Sequence, residues 1–464
     1  MRLCFVIKDQ AHQKLLKAAD TTSHVVCCTA RTMHFPSGKC GPLTNININI
    51  NIFNGGARNL ALSSPDRIRS LSQGSGGGRL CSAFGTAMSE GQALDEVDSS
   101  GRPRVLGLGS AGVDFIAAVD RYPTADEKVR TQSLQVLGGG NCGNTLSAAS
   151  RLGLDACLAT KVGSDANGRL ILQGLEEEGV DVSRVIVSDA TPSAFTYVIV
   201  DKEGGTRTCL HTPQTEDILP EEITPDLLDG VAAVHLDSRH TPAAVVLAKL
   251  ANERGVPVVL DAEKDRPFLK DLLPLADYVI CNRNFPQAFT GRCGVDGHEK
   301  AIRELLEQGR ARLVVTTLGA EGCIVVTREK DQPWQGYGEF SLPQGCPMHI
   351  RTAVRPEVGM DDSSATTSSD KKATPMAYAP ARYVWASAWP IEASDIVDTT
   401  GAGDCFIAGF IYGMTHRLGI ARTLAVASYV AAKKLSLPGA RQGVPTFSQL
   451  QADSPGLVSP DWKS

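Results

Sequence analysis

Asp398-Thr399-Thr400-Gly401-Ala402-Gly403-Asp404 follows an apolar stretch and opens a helix. Beyond it, Phe406, Ile407, Phe410, Ile411, Met414 and Leu418 recur at three- and four-residue spacing, which is one apolar helical face. Gly419 is a stop signal. Gly401, Ala402 and Gly403 therefore lie on the first turn, where backbone N–H groups lack intrahelical partners. Free donors and the helix dipole favour an anion there, and glycines let a phosphate approach the backbone closely. An acid beside an anion cradle has little use in binding alone. It has a task if Asp404 takes a proton from a hydroxyl that attacks the phosphate held there. Alone, the heptapeptide fits equally well a Gly-rich turn whose Asp404 merely begins a helix.

A second motif, Gly138-Gly139-Gly140-Asn141-Cys142-Gly143-Asn144, precedes an Ala/Leu-rich helical stretch ending at Arg151-Leu152-Gly153. Its two carboxamides both donate and accept, which suits a polyhydroxylated ligand. By spacing alone, a glycine turn with Asn141 or Asn144 capping the helix is the simpler account.

Taken in order, the two motifs resemble the two signatures of the PfkB carbohydrate kinase family, and the resemblance runs from about Arg104 to about Pro445. Further stretches resemble the ketohexokinase-like sugar kinases within it. These are Gly109-Ser110-Ala111-Gly112-Val113-Asp114, Asp120-Arg121-Tyr122-Pro123, Ala262-Glu263-Lys264, Ala431-Ala432-Lys433-Lys434 and Gly439-Ala440-Arg441-Gln442-Gly443-Val444-Pro445.

The resemblance implies an α/β chain with the ribokinase-like fold: a three-layer sandwich, a mostly parallel central sheet and a small β-sheet lid. It implies transfer of the ATP γ-phosphate to a hydroxymethyl group of a small sugar, a ketose or pentose such as fructose or ribose. A nucleoside kinase is the alternative within the class, and a non-catalytic plastid scaffold the alternative outside it. Position by position, Asp404 matches the catalytic base, and Gly401, Ala402 and Gly403 match the anion hole. Asp114, Gly140, Asn141 and Asn144 match sugar contacts, with Asp114 expected at the end of the first strand. Arg207 matches a lid position that reaches the substrate or the transferred phosphate. Thr317, Gly319 and Gly322 match the nucleotide-side turn, and Ala432 and Lys433 are expected near the adenine. Asp398, Thr400 and Gly443 lie where related kinases hold a monovalent cation such as K⁺. Mg²⁺ is expected mainly on the ATP phosphates. Many members carry Asn-x-x-Glu for magnesium, whereas this chain reads Asn282-Arg283-Asn284-Phe285, with Asp261 or Glu263 as candidate substitutes. A homodimer through the lid sheet is also implied.

The chain has 464 residues and a net charge of −5, against a nucleic-acid partner and its basic footprint. No apolar run approaches the roughly 18 residues that span a membrane. The charge is uneven: residues 1–89 hold ten Lys and Arg against three Asp. Their Ser, Thr, Asn and Arg richness matches an organellar transit segment over residues 1–88, plastid first and mitochondrial second. The Asn-Ile repeat at 45–52 is unusual for such a segment, and a start at Met88 would give a cytosolic form. Thirteen cysteines show no zinc spacing; Cys157, Cys281 and Cys323 sit in apolar segments as buried thiols.

From Val105 onward, apolar runs alternate with helical stretches, the pattern of a parallel sheet covered on both faces. Strands are expected at Val105–Gly109, Cys157–Val162, Val231–Leu236, Val256–Leu260, Tyr278–Cys281 and Leu313–Thr317, with a helix over Asn144–Leu152. The lid strands are expected at Val129–Val136, Phe195–Val200 and Thr206–His211. An insert of about 328–380, with a disordered Met360–Lys372, precedes an expected last strand, Ile391–Val397. The kinase domain is expected over 103–448, with a tail over 449–464.

Overall fold

The computed structural model describes residues 101–292, 297–328, 341–355 and 380–458. The N-terminal segment, Met88, the Asn-Ile repeat and Met360–Lys372 lie outside the described residues. In chain order the strands are β1 Arg104–Leu108, β2 Gly112–Val119, β3 Ser133–Gly139, β4 Asp155–Ala159, β5 Lys161–Gly163, β6 Ile186–Ser188, β7 Phe195–Asp201 and β8 Thr206–Thr212. They continue as β9 Val231–Leu236, β10 Val258–Ala262, β11 Tyr278–Asn282, β12 Leu313–Thr317, β13 Cys323–Arg328, β14 Ile350–Arg355 and β15 Ala381–Ala386. The longer helices are α1 Asn141–Arg151, α2 Ala166–Glu177, α3 Thr241–Arg254, α4 Gly297–Glu307, α5 Ala402–Thr415, α6 Ile420–Lys434 and α7 Phe447–Asp453.

The central sheet runs β14-β15-β13-β12-β11-β10-β9-β1-β4. From β4 to β12 all neighbours are parallel, and β13, β15 and β14 add antiparallel. Every residue of β9 is buried, as a strand covered on both faces must be. One face packs Leu146 of α1, Phe410 of α5 and Leu424 of α6; the other packs Leu247 of α3 and Leu305 of α4. These are the three layers of an α/β sandwich. A second sheet, β3-β2-β7-β8, forms the small lid. No helix among the described residues is long and apolar enough to cross a membrane.

Several boundaries differ from the sequence expectation. The stretch Cys157–Val162 breaks into β4 and β5, which join different sheets. The lid strand expected at Val129–Val136 is Ser133–Gly139, and the run Val256–Leu260 pairs as Val258–Ala262. The last strand of the sheet is Ala381–Ala386; Ile391–Val397 is loop around a 3₁₀ turn at Ala393–Asp395. The insert also supplies an edge strand, Ile350–Arg355, paired along its length with β15. In the expected tail, Leu450 and Leu457 are buried. Cys157, Cys281 and Cys323 are buried and free.

Candidate active site

Two helix starts meet at the carboxyl edge of the parallel strands, the usual ligand edge of an open α/β sheet. The first is α1. Gly140 sits at its N-terminus with φ of 87°, and a Cβ there would stand 2.6 Å from Ala111 Cα and 2.7 Å from Ser110 O. Only glycine lets the helix begin so close to the loop after β1. Asp237, just past β9, fixes that approach. Its carboxylate accepts from Ser110 N at 2.8 Å, Ser110 Oγ at 2.6 Å, Cys142 N at 3.1 Å and Arg239 N at 3.0 Å.

The second start is α5. Gly401 caps it with φ of 74°, and no side chain caps the first turn. A Cβ on Gly403 would meet nothing within 4 Å, so the turn faces open space. Ala402 N donates to Thr399 O at 3.3 Å, so an anion cradle here rests on the other N–H groups of the turn. Asp404 lies one residue further and is 8% exposed. Asn144 Nδ2 donates to Asp404 Oδ2 at 2.9 Å, and Thr145 Oγ1 donates to the Asp404 carbonyl at 3.3 Å. Burial pushes the Asp404 carboxyl up to about 7. Asn144 and Arg441 oppose that rise, while Asp237 and Glu263 add to it. A carboxyl with this value near neutral pH is suited to accept a proton.

The remaining residues expected to contact the sugar gather around this pair of helices. Asn141 Nδ2 donates to Asp261 Oδ2 at 3.4 Å. Asp261 is buried and its carboxyl is held well above the usual range, first by burial and then by Asp404, Asp237 and Glu263. Asp114 belongs to lid strand β2, paired with β3 and β7, and not to the end of β1 as expected. A Cβ on Gly139 would stand 2.6 Å from both Asp114 carboxylate oxygens, so the acid lies directly on the glycine turn. Burial raises its carboxyl, with a Thr196 hydrogen bond and Arg441 opposing.

Arg207 of β8 donates from Nη1 to Asp398 Oδ1 at 2.6 Å and to Thr400 Oγ1. The lid is thereby tied to the heptapeptide. The acceptors of Asp398 are heavily engaged. Thr400 N and Oγ1 donate to Oδ1 at 2.9 and 2.7 Å, Gly439 N donates to Oδ2 at 2.8 Å, and the buried Lys434 Nζ donates to its carbonyl at 2.7 Å. Asp398 is thus held in this conformation by Arg207, Lys434 and three other donors. Gly443, with φ of 78°, packs against the Lys434 carbonyl.

At the turn expected to face the nucleotide, Thr317 closes β12 and Thr317 Oγ1 donates to Cys281 O at 3.3 Å. Gly319 and Gly322 both have positive φ and shape the tight turn that Leu318 N closes on Gly322 O at 2.7 Å. A cavity of about 460 Å³ opens beside this turn, lined by Leu318, Glu321, Ile324, His349, Trp385 and Ser387 among others. Ala432 is buried, and Lys433 Nζ pairs with Asp453 at 2.7 Å.

Asn282 is spent on structure. Its Oδ1 accepts from Asn284 N and Phe285 N, both at 3.0 Å, and its Nδ2 donates to Glu263 O at 3.1 Å. Phe285 is buried and stacks on Phe289. No group of three or more metal-ligating side chains occurs among the described residues.

Sequence reading missed Asp237, Lys434 and Arg441. Asp237 follows a strand that is apolar except for His235, which is a legible signal at a ligand-binding sheet edge. Nothing in the sequence marks Lys434 or Arg441 as buried.

A model of the pfkB family carbohydrate kinases matches residues 102–339 and 387–447. The chain belongs to that family. It is a sugar kinase, a phosphotransferase by class. Over 352 residues it is 28% identical to an ATP-dependent ribose-1-phosphate kinase of Halopiger xanaduensis, covering 75% of this chain and 97% of that protein. A ribokinase of Arabidopsis thaliana is 24% identical over 358 residues, 75% of this chain and 80% of the relative. The structure of Arabidopsis thaliana ribokinase complexed with ribose and ATP superposes with a TM-score of 0.58 at 21% identity, over 77% of this chain and 99% of that one. That likeness shows the fold.

Proposed function

We propose that this pfkB family kinase transfers the γ-phosphate of ATP to a hydroxymethyl group of a small sugar of the ribose or fructose type. The observation that carries the reading is Asp404, held by Asn144 and placed one residue beyond the uncapped turn Gly401–Gly403. Asp404 accepts the proton of the attacking hydroxyl as the oxygen meets the phosphorus. The first-turn N–H groups stabilise charge on the transferred group. Asn141, Asn144 and Asp114 orient the sugar hydroxyls, and Arg207 reaches from the lid to the phosphoryl side. Magnesium, when it arrives with ATP, neutralises phosphate charge. The names of the curated relatives support ATP as donor and a ribose-type acceptor.

The pH profile follows from Asp404. The base works only when ionised, and its carboxyl stands near 7. The rate constant kcat/KM should therefore fall about tenfold per pH unit on the acid side of pH 7. A flat profile down to pH 5 in stopped assays would reject Asp404 as base.

The screen is ATP consumption by the full chain with ribose, fructose, other ketoses and nucleosides. Turnover confined to nucleosides, or none with any acceptor, would overturn the sugar reading. A second reading is favoured by one feature: Arg239 and Arg266 follow the ends of β9 and β10, beside Asp237 and Asp261. Two arginines at the sugar-facing edge suit an acceptor that already carries a phosphate. Ribose 1-phosphate belongs in the screen for that reason.

Leu134, Val136, Tyr197 and Leu210 leave apolar side chains exposed on the lid sheet, which supports the homodimer proposed there. The plastid assignment, with a mitochondrion as alternative, rests on the composition of residues 1–88.

A further inference from the structure

Arg441 stands in the glycine turn after α6 and is 3% exposed. Its Nε donates to Asn144 Oδ1 at 3.0 Å, and its Nη2 donates to Gly139 O at 3.0 Å. The surroundings are shaped to admit it: a Cβ on Gly143 would stand 2.8 Å from Nη2, and one on Gly138 2.9 Å from Nε. Its charged neighbours Glu178, Asp114 and Asp404 act on it through space. A guanidinium buried this way is costly unless its charge and its fork of donors are both used.

Asn144 shows the use. A carboxamide fits either way round, and the neighbours decide which. With Oδ1 facing the guanidinium, Nδ2 must face Asp404. The flipped amide would set its oxygen against the Asp404 carboxylate and its N–H groups against a cation. We infer that Arg441 is a positioning residue that locks the Asn144 carboxamide with its NH₂ group on Asp404, and so aims the base. The inference rests on the kinase reading and deepens it.

The groups facing Asp404 come from several elements: Asn144 and Cys142 of α1, Asp237 after β9, Asp261 and Glu263 at β10, Cys405 of α5, Lys434 of α6 and Arg441. Of the two cations, only Arg441 also touches the residue that holds Asp404. Its loss removes a positive charge that opposes the rise of the carboxyl.

The test compares Arg441→Gln and Arg441→Lys in the full chain, on whichever acceptor the screen identifies. Arg441→Gln should lower kcat by about 10- to 100-fold, leave the KM for ATP within twofold, and move the acid limb of kcat/KM to higher pH. Arg441→Lys keeps the charge without the fork. It should hold the limb in place and lose roughly tenfold in kcat, and it serves if the glutamine variant does not fold. On an Asn144→Ala background, Arg441→Gln should add little further loss of kcat, because the two residues act in series. Unchanged kcat and limb in folded Arg441→Gln, wild-type turnover in Arg441→Lys, or full additivity with Asn144→Ala would each overturn the inference. Absence of turnover in the wild-type chain would instead overturn the kinase reading. In that case the thermal midpoint against pH still reports the titration of Asp404. Its decline with rising pH should then extend to higher pH in Arg441→Gln, and superposable curves would reject the role of Arg441.

Discussion

Asp404→Asn should give a folded protein that binds ATP and transfers phosphate about 10²–10⁴-fold more slowly, the usual contribution of a positioned base. The substitution keeps volume, and an Asn oxygen can still accept from Asn144 Nδ2. What disappears is the capacity to take a proton. The same variant should be more heat-stable, and the sign follows from linkage. A carboxyl raised by burial favours folding while it is protonated, below its unfolded value. That contribution is lost as pH rises toward the folded value near 7. At pH 8 the wild type therefore carries a buried carboxylate that destabilises it. The interval from 3.8 to about 7 corresponds to roughly 4 kcal/mol as an upper bound. Asp404→Asn removes that burden, so its thermal midpoint should exceed wild type at pH 8, with the gap narrowing toward pH 4. A lower midpoint at pH 8, with activity retained, would mean that Asp404 is a structural carboxylate.

The parts of this site that the sequence discloses are those fixed by local geometry. The apolar face from Phe406 to Met414 and the glycines ahead of it can only be a helix with an open first turn, and α5 starts there. Strand β9 is legible because a strand buried on both faces is nearly all apolar, His235 being its one polar residue. The failures share one cause, long-range pairing. Asp114 lies only a few residues past β1, but it joins the lid sheet through β3 and β7, whereas β1 belongs to the central sheet. Ile391–Val397 has strand composition, but β15, the strand just before it in sequence, is already paired on both sides by β13 and β14. Arg441 reads as a surface residue in a glycine turn. It is buried because the turn folds back onto α1, 297 residues away in sequence from Asn144.

Arg207 connects the two sheets of the molecule in chemical terms. It sits on the lid, and its partners Asp398 and Thr400 open the heptapeptide. Because Asp398 also accepts from Gly439 N, one carboxylate links the lid, the anion turn and the glycine turn that carries Arg441. The lid sheet and the two turns are thus joined through a few hydrogen bonds.

Gly401→Ala should lower kcat by about 10²–10³-fold, the loss expected when an anion-stabilising donor is misplaced. The physical cause is backbone geometry. Gly401 has φ of 74°, a conformation that is unfavourable for alanine by roughly 1–2 kcal/mol. The added Cβ would also stand 2.7 Å from Ala440 O, 2.8 Å from Ala440 Cβ and 2.9 Å from Ala440 Cα. None of these atoms is the end of a flexible side chain, so the first turn of α5 must move. The thermal midpoint should fall with the rate. Gly403→Ala supplies the contrast. It lies within the helix, where its Cβ would meet nothing within 4 Å, so the fold tolerates it. That open space is where a phosphate would approach the backbone. Gly403→Ala should therefore keep the wild-type midpoint while losing turnover and ATP affinity. If Gly403→Ala is fully active, no phosphoryl group reaches this turn. If Gly401→Ala is active and stable, the turn is not the anion cradle its geometry describes.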